Sequence, residues 1–460
     1  MTTTGDVERR LLDLCDDIVA RAKTAGGSGC EVYAERVTQT SANVEQNELK
    51  GASFAEHEAV GIRVLVHSAN GAGDRTGFAY VNHLGDASID DAIADALAIA
   101  KASPGDHANG LVSPLPGKVV RGLWDDEIAA LQPDDVVDST VRLLDGARRK
   151  DKRVSVDNAS FAATTGVNAV VSSAGIRAAS SEASATWGLF GMAVDGDEVG
   201  SFDHVFDAAR TMHAADVDGA AKLYAERVLA LLDPREGKSY KGKVLFSNEA
   251  FEEIFLEALF ESIDGDTVHK GKSRLKDKLG KKVAAKGFTL VDNGTIPGGL
   301  GSASFDREGL PHRRTVIVGD GTLHTFLYDG KAARRASQRP TGHAQGSARS
   351  LPGIGTTNVT LAPGQASDED LFRELGDGLY VGRFSGNVDS VSGDFSGVAK
   401  GSFLVERGKK TVPVKETLIA GNVFTGLERM VAWGSTLHRN MATLSPHVLV
   451  DGIDVTAGAE

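Results

Sequence analysis

A histidine followed by a glutamate is the first feature of this 460-residue chain that could do chemistry. His57-Glu58 opens like the helical zinc-peptidase motif, in which two histidines converge on one metal and a glutamate activates its water. The second histidine is missing: Gly61 stands at the H-E-x-x-H position and Ile62 at the H-E-x-x-x-H position. Val60, Ile62, Val64 and Val66 also alternate with Gly61, Arg63 and Leu65, which is a strand period rather than a helix period. Gly271-Lys272-Ser273 ends like a phosphate-binding loop, but Asp266 replaces the first glycine and the segment follows a helical pattern instead of a strand. Gly237-Lys238-Ser239 fails in the same way at Leu232, and Gly71-Ala72-Gly73 lacks the third glycine of a dinucleotide fingerprint, with Thr76 in its place. No G-x-S-x-G elbow is present, and the 12 histidines are scattered without a recognised ligand spacing.

Composition narrows the function classes. A net charge of −13 argues against a protein that works by neutralising nucleic-acid phosphates. The run 270–286 holds eight Lys or Arg residues and reads as a solvated connection. Two cysteines, Cys15 and Cys30, make no disulfide framework and fit a reducing cytoplasm. Neither a signal peptide nor an apolar run of membrane-spanning length is visible.

The elements that must position any site read as two units. Residues 6–24, 87–102 and 134–150 have helical periodicity, while 30–37, 58–68, 75–81 and 154–189 read as strands. Residues 216–232 form another helix. A short strand at 244–247 then leads into a helix over 248–263, with Asn248 as its N-cap. Beyond 285 the chain is strand and turn, interrupted by a helix over 423–433. The expected fold is α+β. Residues 1–215 form an N-terminal domain with helices on a mostly antiparallel sheet. Residues 216–460 form a mainly antiparallel β domain, rolled towards a barrel.

Several segments of the second half are similar to one family. TLVDNGTIPGGLGS at 289–302, FDREG at 305–309 and RRTVIV at 313–318 resemble the strand and glycine-rich turn of the TldD/PmbA modulators and metallopeptidases. GLYV at 378–381, FSGNVD at 384–389, GDFS at 393–396, AKG at 399–401 and IAGN at 419–422 extend the resemblance, and the first half follows it more loosely. In that family, the resemblance implies, TldD-type subunits carry H-E-x-x-x-H on a helix and take a further zinc ligand from a cysteine near the C-terminus. Residues five apart on a straight helix diverge by about 140° at 3.6 residues per turn, so that spacing implies a distorted helix. Anchored on Lys270-Gly271-Lys272-Ser273, the motif falls on Leu256-Glu257-Ala258-Leu259-Phe260-Glu261. Leu256 replaces one histidine, Glu261 the other, and the last 80 residues contain no cysteine. Glu257 keeps the base position with no metal-bound water to activate. Leu256, Leu259 and Phe260 read as helix core.

The resemblance therefore implies a PmbA/TldE-type subunit. It has no catalytic residue, cofactor or metal of its own, and it pairs as a heterodimer with a zinc-bearing TldD-like subunit to degrade or trim unfolded peptides in the cytoplasm. Two alternatives stay open. One is a peptidase active by itself, with Glu257, Glu261, Asp264 and Asp266 as an oxygen-rich metal cluster. The other is a homodimeric binding or modulator protein of the kind the family's gyrase name suggests, without direct contact to DNA.

Overall fold

A computed structural model describes residues 3–69 and 71–458. The chain opens with α1 (Thr4–Thr24), where Thr3 and Asp6 form a reciprocal capping box and Val7, Leu11, Cys15, Ile18 and Ala22 line one buried face. The first sheet follows: β1 (Gly29–Glu45), β2 (Glu48–His67) and β3 (Asp74–Val81), then α2 (Asp86–Ala102), α3 (Asp126–Ala130) and α4 (Pro133–Lys150). It is completed by β4 (Val154–Ser172), β5 (Arg177–Asp195), β6 (Glu198–Val199) and β7 (Asp203–Ala209). The strand order is β3-β2-β1-β4-β5-β6, with β7 also on β5, and every pair is antiparallel.

Strand alternation decides what each face of this sheet does. Val32 and Ala34 of β1 and Val60, Ile62 and Val64 of β2 pack under α1 and α2. Further along β4 and β5, Phe161, Ala185, Trp187 and Leu189 pack under α4 and α5 (Val217–Leu229). The opposite face turns Glu31, Tyr33, Glu35 and Arg63 towards the second half of the chain, and all four are buried there. Gly61 lies on that face too. A Cβ on it would sit 2.4 Å from the Ala348 carbonyl oxygen, so the backbone approach requires glycine.

The junction between the halves is ionic. Arg63 Nη2 donates to Glu31 Oε2 at 2.5 Å and to Glu308 Oε1 at 3.0 Å, and Arg307 Nη1 donates to Glu31 Oε1 at 3.2 Å. The Arg307 guanidinium lies 4.0 Å over the Tyr33 ring. Glu308 Oε2 accepts the Gly330 N–H at 2.6 Å. Two arginines thus face two carboxylates, and all four side chains are buried.

The second half starts at β8 (Tyr240–Phe246) and builds two sheets. In the nine-stranded sheet β8 lies between Val448–Thr456, antiparallel, and Gly378–Val381, parallel. The six-stranded sheet centres on Leu290–Asn293, flanked by Arg314–Gly319 and Val359–Leu361. Its glycine-rich turn is held by Asn358, whose Nδ2 donates to Asn293 O and Ser302 Oγ, both at 2.8 Å. Both sheets keep open edges in the strand order among the described residues, so neither is a closed barrel. No described helix is long and apolar enough to cross a membrane.

Three readings of the sequence change. The Val217–Leu229 helix, grouped above with residues 216–460, packs on β5, β7 and α4 of the first sheet, because Ala220, Ala221, Tyr224 and Val228 join that core. Ser247 rather than Asn248 caps the following helix, accepting the Ala250 N–H at 3.0 Å. The helix expected over 423–433 ends at Glu428. Met430–Trp433 is a strand instead, because it finds a partner in Val448–Thr456.

Candidate functional site

The segment that aligns with the metal motif is a helix with an irregular centre. Asn248–Phe251 is α-helical, Glu252–Leu256 forms a π turn, and Glu257–Ile263 returns to α. The helix is thus distorted, but the π turn ends at Leu256 and the stretch across the five-residue ligand spacing is regular α-helix, without the histidines. Leu256 is fully buried, in a core that contains Phe246, Phe251, Phe255 and Phe395. Phe255 sits 5.4 Å edge-on to Phe246 and 5.0 Å stacked on Phe251. Leu259 is also fully buried and Phe260 partly so, while Glu257 and Glu261 are exposed.

These donors do not fit a zinc ion. A hydrocarbon occupies the first ligand position inside the core, and the second carboxylate faces solvent. The oxygen-rich alternative also disperses. Asp264 accepts the Thr267 N–H as the cap of Gly265–His269, and Asp266 pairs with Lys270 and with Arg335. Glu257, Glu261, Asp264 and Asp266 are not gathered closely enough to share an ion.

The same helix carries three further glutamates that face protein. Glu249 pairs with Arg227 at 2.7 Å, Glu252 accepts from Asn440 Nδ2 at 2.9 Å, and Glu253 accepts the Phe384 N–H at 2.7 Å. Burial pushes the Glu253 carboxyl up to about 7, with the Phe384 N–H only partly offsetting it. The folded protein therefore binds this proton more tightly than the unfolded chain, where the ordinary value is 4.5. The resulting stability is full below pH 4.5 and is lost as pH rises through about 7. Urea unfolding at pH 5 and pH 8 is expected to show this decline, and Glu253→Gln should flatten it. An equally steep decline in the variant would assign the pH dependence to other groups.

Beside the helix lies a cavity of about 310 Å³ between the two halves of the chain. Arg227, Glu249, Tyr380, Arg383, His438 and His447 are among its lining residues. Arg383 Nε lies 2.9 Å from Asp203 Oδ1. His438 and His447 stack with ring centroids 4.4 Å apart, and Tyr380 meets His447 edge-on at 5.8 Å. Asp368 approaches both rings, with Oδ2 3.5 Å from His438 Nε2 and Oδ1 3.8 Å from His447 Nδ1. Burial, and then the neighbouring His438, pull the His447 imidazole down to about 4, and Asp368 offsets this only in part. Sequence reading passed over these three residues. Their separation along the chain hides the convergence, and the only local signal is a pair of histidines flanking the hairpin of His438–Asn440 and Thr443–Ser445.

Comparison with known proteins agrees with this architecture. A family model described as the PmbA/TldA metallopeptidase C-terminal domain matches residues 239–457, and one described as PmbA/TldA metallopeptidase domain 1 matches residues 30–100. The chain belongs to the PmbA/TldD family. It is 27% identical over 442 residues to metalloprotease PmbA of Escherichia coli O157:H7, covering 94% of this chain and 93% of that protein. It is also 27% identical over 435 residues to a metalloprotease TldD homolog of Haemophilus influenzae, covering 87% of this chain and 83% of the other. The crystal structure of TldE from Thermococcus kodakarensis shares the fold, with a TM-score of 0.86 at 24% identity, covering 96% of this chain and all of that one.

Proposed function

We propose that this chain is the non-catalytic, PmbA/TldE-type subunit of a two-subunit metallopeptidase whose zinc resides in a TldD-like partner. The observation that carries this reading is Leu256, buried in the aromatic core at the position of the first histidine, while Glu257 remains at the base position. A glutamate without a metal-bound water has nothing to activate. The chain's part in the heterodimer is to help enclose the reaction chamber and to hold unfolded peptide. The outer edge of β2 supports that role, because residues 48–59 pair with β1 on one side and β3 begins its pairing only at Val60. An extended chain can add to such an edge through backbone hydrogen bonds that tolerate varied sequence. Two buried free thiols, Cys15 and Cys30, fit assembly in the cytoplasm.

The test is cleavage of casein or a peptide by the two subunits mixed. Glu257→Ala and Glu261→Ala in this chain are expected to leave mixed activity unchanged and stability within about 0.5 kcal/mol, as for exposed surface positions. Loss of activity in either variant would place a working group on this helix and refute the reading.

A further inference from the structure

We propose that Asp368, His438 and His447 form a binding site for one divalent transition-metal cation, separate from the helix motif. Among the described residues this is the one trio of His, Cys, Asp and Glu side chains whose candidate ligand atoms all lie within 4.8 Å of one another. Asp368 Oδ1, His438 Nε2 and His447 Nδ1 are shielded from solvent, and none has a hydrogen-bond partner. Shielded polar atoms are nearly always satisfied in folded proteins, so three orphans converging at one point call for a missing partner. The carboxylate is too far from either imidazole for a hydrogen bond, at 3.5 and 3.8 Å. The 3.5 Å gap suits a cation instead, and the 3.8 Å gap, to the other carboxylate oxygen, is slightly wider than one requires. Donors about 2.0–2.2 Å from a tetrahedral metal lie roughly 3.3–3.6 Å from one another.

Each ligand is anchored by a different element. Asp368 opens the helix Asp368–Leu375 behind its Ser367 cap, His438 starts the strand His438–Asn440, and His447 immediately precedes Val448–Thr456. The three anchors hold the groups close, but the two imidazoles stack 12° from parallel, so one ring must turn to aim both in-plane lone pairs at a single ion. Two imidazoles and one carboxylate suit zinc, cobalt or nickel, whereas calcium and magnesium prefer oxygen ligands throughout. His438 and His447 line the 310 Å³ cavity, so a fourth ligand, water or an anionic group, has a route to the ion.

The experiment uses the full chain, stripped with a chelator and titrated with cobalt(II) chloride by visible absorption, then with zinc chloride in competition. The expected result is one cobalt per chain with the intense bands of a four-coordinate ion, displaced by zinc. Asp368→Ala and His447→Ala should weaken binding at least ~10-fold, the lower end of what even supporting residues of metal sites contribute. His447→Cys should restore it and add a sulfur-to-cobalt charge-transfer band, which keeps the test decisive if an alanine variant folds poorly. Glu257→Ala and Glu261→Ala should bind as the unmodified chain does. Absence of saturable binding, or binding that survives in both alanine variants, would overturn the site. Neither result bears on whether the chain cleaves peptides.

Discussion

Replacing Arg63 with alanine is expected to destabilise the protein by about 3–5 kcal/mol, the cost of leaving a buried charge without its partner. Glu31 and Glu308 are at most 1% exposed, and Arg63 touches both. Removing it leaves Glu31 paired with Arg307 alone and Glu308 with no cation among the described residues, only the Gly330 N–H, both still buried. Because the network joins the inner face of the first sheet to the turn at 306–309, the loss should show as a lower urea midpoint and as faster proteolysis at the junction. The double variant Arg63→Met/Glu308→Gln restores charge balance and keeps an acceptor for the Gly330 N–H, so it should recover much of the loss. A single variant within about 1 kcal/mol of the unmodified protein would show that the network is hydrated and not a buried junction.

Leu256→Ala is expected to cost about 2–5 kcal/mol, the range for truncating a fully enclosed leucine. The side chain is packed among rings whose positions are fixed by one another and by Gly426. A Cβ on Gly426 would lie 2.5 Å from Phe255 Cε1, so the core has little room to collapse into the cavity. The contrast with exposed Glu257, one residue away, is the informative part. Thermal unfolding of Leu256→Ala and Glu257→Ala side by side should separate them by several degrees. Equal melting temperatures would mean that position 256 faces the chamber as a ligand position would.

Much of this architecture was legible in the residues. The alternation of Val60, Ile62 and Val64 with Gly61 and Arg63 marked a strand, and the structure shows why both sets matter: one face lies under helices, the other meets the second half. The helical spacing of Leu11, Leu14 and Ile18 marked α1, and the α+β character of the first half followed from such periods. What stayed hidden depends on contacts between distant segments. The apolar face of Val217–Leu229 does not say which sheet receives it. The π turn at Glu252–Leu256 barely disturbs the apolar period and is invisible in composition. Val431 and Trp433 suit a strand as well as a helix, and the pairing with Val448–Thr456 decides between them. Asp368 and the two histidines meet only once the sheets are assembled.

The most direct measurement is peptide hydrolysis by this chain alone, by a TldD-type partner alone, and by the two titrated together. No hydrolysis by this chain alone is predicted, with activity that rises on mixing and saturates at one copy of each subunit. Mixed activity should persist when this chain carries Glu257→Ala. Hydrolysis by this chain alone, abolished by Glu257→Ala or Glu261→Ala, would contradict the account and make it a peptidase with its own catalytic site.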